Sequence, residues 1–348
     1  MALCGPILLT YFIDPLQVFR KASYRALFSA NERYQNPGLI RHYPYDTIIL
    51  GTSMTENFRP SYVDRRLGVH VLKIPIRGST AHEQFLTARL ALRTGRVARV
   101  IWGLDHWMCS GSPDTVGSPT SPFPLFLYED KALPYAQYLF NISTFIDSLK
   151  IILTSRLWEA PDANALDSLY AWDHTVVFSR KHAVEDLRMA MAQTRRGRGL
   201  NPISYGMDTM QVNFAGNVLS IIDAFPHVEF DIFFPPYSIL QFKYYEWQNP
   251  DLFDRLLAFR ALIIGELLHR RNVHLFSFDD VPAITHDLDN YKDMAHYRVE
   301  VNEYVVDSIA IGRHRITVED SLGSIGRLKD QTARFDVTGV LAQKPGAA

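Results

Sequence analysis

Five short apolar runs punctuate the chain, with longer stretches of helical periodicity between them. Thr47–Leu50 (TIIL) is β-branched and ends at a glycine. Val69–Ile76 is the second run and stops before Arg77-Gly78, and Arg99–Leu104 is the third. Val228–Phe234 is the fourth, stopped by Pro235-Pro236, and Val273–Phe278 is the fifth. Runs of this length and composition fit strands buried on both faces. Between them, His82–Arg93, Tyr205–Ala224, Asp251–Arg271 and Tyr297–Ile311 read as helices. The third of these carries Leu252, Phe253, Leu256, Leu257, Phe259, Leu262 and Ile263, an apolar face at helical spacing. Strands alternating with helices predict an α/β fold: a doubly wound, mainly five-stranded parallel sheet in a flavodoxin-like three-layer sandwich. Such sheets bind ligands beyond the carboxyl ends of their strands.

The alternation breaks between the third and fourth strands. Ser110–Pro124 is rich in Ser, Gly and Pro and reads as loop. Helical patterns follow around Leu133–Leu157 and Arg180–Gln193. Residues 108–203 therefore read as a helical insertion, a candidate cap over the site, within a domain spanning 14–315. Residues 316–348 form a C-terminal extension whose last residues, from Lys344, are expected to be disordered.

Composition narrows the class. Of 348 residues 47% are hydrophobic and 21% charged, the balance of a folded globular chain. The net charge of −1, without a basic stripe, argues against a nucleic-acid partner. The two cysteines, Cys4 and Cys109, lack metal or redox spacing, and the histidines are scattered, so neither a metal nor another cofactor is expected. Residues 1–13 stand out because Ala2–Ile13 is almost wholly apolar. Twelve helical residues span ~18 Å, short of the ~30 Å hydrocarbon core. Two readings stay open: a buried first element, or the remnant of a membrane anchor.

Two motifs carry candidate chemistry. In Gly51-Thr52-Ser53, directly after the first strand, the serine would project from the carboxyl edge of the sheet, with Met54–Asn57 beginning a helix. A plain helix N-cap is the alternative for Ser53. Asp293-Met294-Ala295-His296 follows the fifth strand and would put a carboxylate and an imidazole on one side of a turn. A serine nucleophile needs a base, and the base needs an orienting carboxylate. A surface Asp–His pair is the alternative there. Each motif alone is weak; in a doubly wound sheet both reach the same edge.

This order and spacing resemble the SGNH (GDSL-like) hydrolase superfamily, in particular its bacterial cell-envelope branch, which includes alginate and peptidoglycan O-acetylation proteins and DltD-like proteins. Asn31–Phe58 resembles a membrane-anchored group within it. The resemblance covers roughly residues 14–107 and 228–312 and leaves out the insertion. It implies Ser53 as nucleophile, His296 as base and Asp293 as its orienting acid. It implies an oxyanion hole from the N–H groups of Ser53 and Gly78, the latter after the second strand. A third block normally supplies an asparagine to that hole. Here strand three runs into Gly103-Leu104-Asp105-His106-Trp107, and Asp105 stands near that position. A carboxylate cannot donate unless protonated. His106, Trp107, Tyr237 and Arg77 are further candidates for substrate contact, each with a structural or solvated role as alternative. Glu56 and Asn57 read as helix surface.

The expected function is thus a serine esterase or O-acyltransferase acting on acyl esters, with envelope glycans as the implied substrate class. The implied site is the bacterial cell envelope, with the domain extracytoplasmic and held at the membrane through the N-terminus. Two other readings stay open: a catalytically weak or inactive envelope protein that binds glycan or a membrane partner, and a flavodoxin-like module binding phosphate near Ser53.

Overall fold

The computed structural model describes residues 4–117, 121–129, 135–154, 156–162 and 164–342. Two helices, α1 (Cys4–Ile13) and α2 (Glu32–His42), precede the sheet. Then follow β1 (Thr47–Leu50), α3 (Pro60–Leu67), β2 (Val71–Lys73), α4 (Ala81–Leu92) and β3 (Arg99–Gly103). The insertion holds α5 (Tyr135–Leu139), α6 (Ile142–Leu153), α7 (Ala165–Ser168) and α8 (Arg180–Arg195). α9 (Met207–Phe214) continues through a π turn, Ala215–Leu219, into α10 (Ser220–Ala224) and leads to β4 (Glu229–Phe234). α11 (Ile239–Gln248) and α12 (Pro250–Leu268) precede β5 (Val273–Ser277). α13 (Pro282–Thr285), α14 (Val299–Ile311), α15 (Gly323–Arg334) and α16 (Val337–Ala342) close the described chain.

The five strands form one all-parallel sheet in the order β2-β1-β3-β4-β5. This is the doubly wound arrangement expected from the alternation, in the flavodoxin-like order. Its strands read as unbroken apolar runs because both faces are covered. Ile48, Leu50, Leu72, Val100, Trp102 and Ile232 face the layer that holds α2, α4, α9 and α12. Ile49, Val71, Ile101, Phe233 and Phe276 face α3 and α14. Burying each large apolar side chain contributes roughly 1.5–3 kcal/mol.

The chain winds outward from β1 to β2, then returns across to β3. The carboxyl ends of β1 and β3 therefore flank the switch point where such sheets leave a crevice. Leu50 pairs with Trp102, so residues three beyond each, Ser53 and Asp105, leave the sheet side by side.

The structure adds elements that periodicity did not reveal. α2 contains Pro37, a helix breaker in most interiors, and its Gly38 has a packing reason. A Cβ at Gly38 would meet the Leu16 carbonyl oxygen at 2.0 Å. The segment crossing there is pinned by Asp14, whose carboxylate accepts from the N–H groups of Val18, Phe19 and Arg20 and from the Tyr138 hydroxyl of α5. The N-terminal segment is thus tied to the insertion.

α1 is a 10-residue helix, not a wholly buried element. Leu8, Tyr11 and Phe12 on α1 are exposed, as are Ile142, Ile146, Leu149 and Leu153 on the neighbouring α6. Among the described residues no helix is long and apolar enough to cross a membrane. Cys109 is a free, buried thiol. The tail from Lys344 and part of the Leu133–Leu157 pattern lie outside the described residues.

Candidate active site

Gly51 turns the chain off β1 with φ +152°, and a Cβ there would lie 2.8 Å from the Thr55 methyl group. Only glycine fits without strain. Ser53 then opens a single 3₁₀ turn, Ser53–Thr55, not the longer helix expected from Met54–Asn57. The turn closes on itself: the Thr52 hydroxyl accepts from Met54 N (3.4 Å), and the Thr55 hydroxyl donates to Thr52 O (2.9 Å). The next helix starts at Pro60, whose missing N–H costs nothing in a first turn. Glu56 and Asn57 are correspondingly buried and are not helix surface.

Asp293 and His296 lie in a closed turn before α14. Lys292 N donates to His296 O (3.0 Å), and Tyr291 and Tyr297 form an antiparallel bridge. The Ser238 hydroxyl after β4 donates to Met294 O (2.6 Å), while Asp186 of α8 accepts from Met294 N (3.0 Å). Asp293 Oδ1 takes the N–H groups of Ala295 (2.8 Å) and His296 (2.7 Å). Its Oδ2 is 2.8 Å from His296 Nδ1. Burial would raise the Asp293 carboxyl, but the hydrogen bond and charge of His296, with those backbone donors, outweigh it and hold it below the ordinary carboxylate value.

The structure brings the two motifs together across 243 residues: Ser53 Oγ lies 2.8 Å from His296 Nε2. With Asp293 accepting at Nδ1, the neutral ring carries its proton there and turns a lone pair toward the serine. His296 and Asp293 side chains keep about a quarter of their surface, 26% and 27%, so the relay is reachable from solvent.

Gly78 has φ +60° with open space around it. Its loop is stitched to the Ser53 turn: Ile76 N donates to Gly51 O (3.0 Å), and Arg77 grips the Glu56 carboxylate through two bonds of 3.1 Å. Neither the Ser53 nor the Gly78 N–H has an acceptor among the described residues. Arg77 is therefore ion-paired, not simply solvated, while over half its side-chain surface stays exposed.

Beyond β3, Asp105 is fully enclosed. Its Oδ1 accepts a short hydrogen bond from the Tyr237 hydroxyl, which in turn accepts from Trp107 Nε1 (3.2 Å). Its buried Oδ2 has no hydrogen-bond partner. Burial pushes the carboxyl up to about 6, against the opposing pull of the Tyr237 and Thr52 hydroxyls and the charge of His296. His106 points elsewhere: Nε2 meets the Tyr245 hydroxyl (2.7 Å), and the ring packs on Tyr237, Phe242 and Tyr245. Burial drives it down to about 3, so it is neutral. Its contacts, like those of Trp107 and Tyr237, are with the protein and build the wall behind Asp105.

The insertion, read from the sequence as a candidate cap, completes the surroundings through residues that no motif singled out. Trp172 sets its ring edge-on to His296 at 5.4 Å, and Lys292 lies over the same ring at 4.0 Å. Asn57 Oδ1 accepts from Trp172 N (3.0 Å) and Asp173 N (3.3 Å). Lys73, buried at the end of β2, donates to the carbonyls of Glu56 (2.8 Å), Phe58 (2.9 Å) and Asp167 (3.1 Å), joining the Ser53 turn to α7. A cleft of about 670 Å³ between the N-terminal segment and the insertion is lined by Trp172, Tyr170, Arg77, Arg25 and Arg156 among others. Among the described residues no His, Cys, Asp or Glu cluster suits a metal. No protein-family model matches the sequence, and no curated protein matches it significantly.

Proposed function

We propose that this protein is an SGNH-type serine esterase or O-acyltransferase, with the hydrogen-bonded series Ser53–His296–Asp293 as the observation that carries the reading. Ser53 Oγ attacks the ester carbonyl while its proton passes to His296 Nε2, and the imidazolium that forms is stabilised by Asp293. The N–H groups of Ser53 and Gly78 are the donors available to the tetrahedral oxyanion. When the intermediate collapses, the leaving alkoxide takes the proton from His296 and an acyl-serine remains. A second hydroxyl then attacks with His296 again as base. Water makes the protein an esterase; a sugar hydroxyl makes it an O-acyltransferase.

The resemblance to envelope proteins suggests acyl esters of glycans as substrates. The cleft beside Trp172, with aromatic and arginine side chains, is compatible with a glycan. The exposed apolar faces of α1 and α6 support residence at a membrane surface of the bacterial envelope. In the test, the protein is incubated with a fluorophosphonate probe and assayed on p-nitrophenyl acetate. Labelling and turnover that vanish in Ser53→Ala support the reading; both persisting in Ser53→Ala refute it.

A second reading has its own support. Asp105 occupies the region where the resembled family carries an amide donor, which suits a protein that keeps the fold and binds glycan without turnover. Saturable polysaccharide binding by intact protein that no serine probe labels would favour it.

A further inference from the structure

Trp172 belongs to two surroundings at once. Its ring stands at a right angle to that of His296, with the ring centres 5.4 Å apart. The same residue lines the cleft of about 670 Å³ between the N-terminal segment and the insertion. The lining of that cleft stops short of Ser53 and His296, and Trp172 is the point where cleft and histidine meet. Arg77, the neighbour of Gly78, lines the cleft as well. A molecule seated there therefore touches the neighbours of both the general base and the oxyanion loop.

Trp172 is held in place and is not a loose flap. Tyr170, two residues earlier, has φ +60°, a conformation that a bulky side chain keeps only where its surroundings hold it. Its hydroxyl donates to Asn36 Oδ1 of α2 (2.9 Å). Asn57 Oδ1 accepts from Trp172 N and Asp173 N, and Lys292 lies over the indole. Asn57 follows the Ser53 turn and Lys292 precedes Asp293, so this wall of the cleft is fixed to both halves of the catalytic series. A wall already fixed loses little freedom when a ligand settles against it.

In acyl transfer the base gives its proton to the departing alkoxide and later takes one from the incoming hydroxyl, so leaving alcohol and acceptor use the same ground beside the imidazole. We infer that Trp172 is the specificity residue for that alcohol: a polyhydroxylated acceptor lies in the cleft against the indole and meets the acyl-serine ahead of water. The inference rests on the serine-hydrolase reading and deepens it toward O-acyl transfer. The acceptor oxygen attacks the acyl carbon while its proton passes to His296 Nε2. The bond from that carbon to Ser53 Oγ then breaks, and Oγ takes the proton back. The cleft has the size of a site for a whole organic ligand, about 300–1,000 Å³, far more than water or methanol needs. Its aromatic rings, Trp172, Tyr24 and Tyr43, stand beside Arg25 and Arg156 and suit the mixed apolar and hydroxyl surface of a sugar.

The test reads a product ratio, which the amount of active protein does not change. p-Nitrophenyl acetate supplies the acyl group, with cellobiose or methanol added at equal concentration. Acetylated acceptor is measured against free acetate, with Ser53→Ala as the background. The wild type should acetylate cellobiose at least about tenfold more readily than methanol. Trp172→Ala should lose about tenfold or more of that preference, and Trp172→Phe, which keeps a ring, should hold most of it. A merely structural role would lower total turnover and leave the ratio where it was. A preference in Trp172→Ala within about twofold of wild type overturns the inference. Acetate as the wild type's sole product with either acceptor also overturns it, and the esterase reading survives both results. A wild type that neither labels with fluorophosphonate nor releases nitrophenol overturns the serine-hydrolase reading and the inference with it.

Discussion

Replacing Asp293 by Asn tests the catalytic series with least disturbance to the fold. The asparagine oxygen can keep the two backbone bonds that Asp293 Oδ1 now takes from Ala295 and His296, at 2.8 and 2.7 Å. That leaves the amide NH₂ facing His296 Nδ1, where the carboxylate now lies at 2.8 Å. Donor would face donor, so the ring must shift its proton to Nε2 to accept at Nδ1. Nε2 then points an N–H at Ser53 Oγ and cannot take the serine proton. A wrong tautomer of this kind costs about 10⁴-fold in kcat, and at 1.36 kcal/mol per decade that is about 5.4 kcal/mol of transition-state stabilisation. The assay is kcat and KM on p-nitrophenyl acetate with the rate of fluorophosphonate labelling, beside a melting curve. Both rates should collapse while KM and the melting temperature stay near wild type. A folded Asp293→Asn protein within tenfold of wild-type kcat would refute the assigned roles of Asp293 and His296.

Other expectations follow from single contacts. Lys73→Met removes the donor shared by three carbonyls, two of them buried, and should destabilise the fold by about 2–4 kcal/mol, read as a lower denaturant midpoint; an unchanged midpoint would show that the clamp between the Ser53 turn and α7 is unimportant. Gly51→Ala meets Thr55 at 2.8 Å in a left-handed backbone region and should cost about 1–3 kcal/mol and depress ester hydrolysis, whereas a wild-type melting temperature would contradict the strain argument. Ile142→Ser with Ile146→Ser removes two exposed aliphatic side chains from α6 and should weaken sedimentation with lipid vesicles by tenfold or more while leaving hydrolysis of a soluble ester intact; equal vesicle binding would remove α6 from the membrane reading.

Periodicity alone determined most of the architecture. The strands are apolar because both sheet faces are covered, so TIIL and VEFDIFF announced themselves without neighbours. Thr47–Leu50 ran as expected, and β4 and β5 began or ended within one residue of the apolar runs. The two motifs were legible for a related reason: a parallel sheet delivers whatever follows its strands to one edge. What periodicity could not supply is anything decided by contact between distant segments. α2 was hidden because Pro37 speaks against a helix, and only the crossing at Gly38 explains it. Glu56 and Asn57 read as surface until the 3₁₀ turn, Arg77 and the insertion enclosed them. Trp172 sits where no spacing rule links it to His296, since its place depends on how the insertion folds back over the edge. Asp105 is the clearest case: in sequence it is one more acceptor near the sheet edge, and only the fold encloses it and sets the Tyr237 hydroxyl against it.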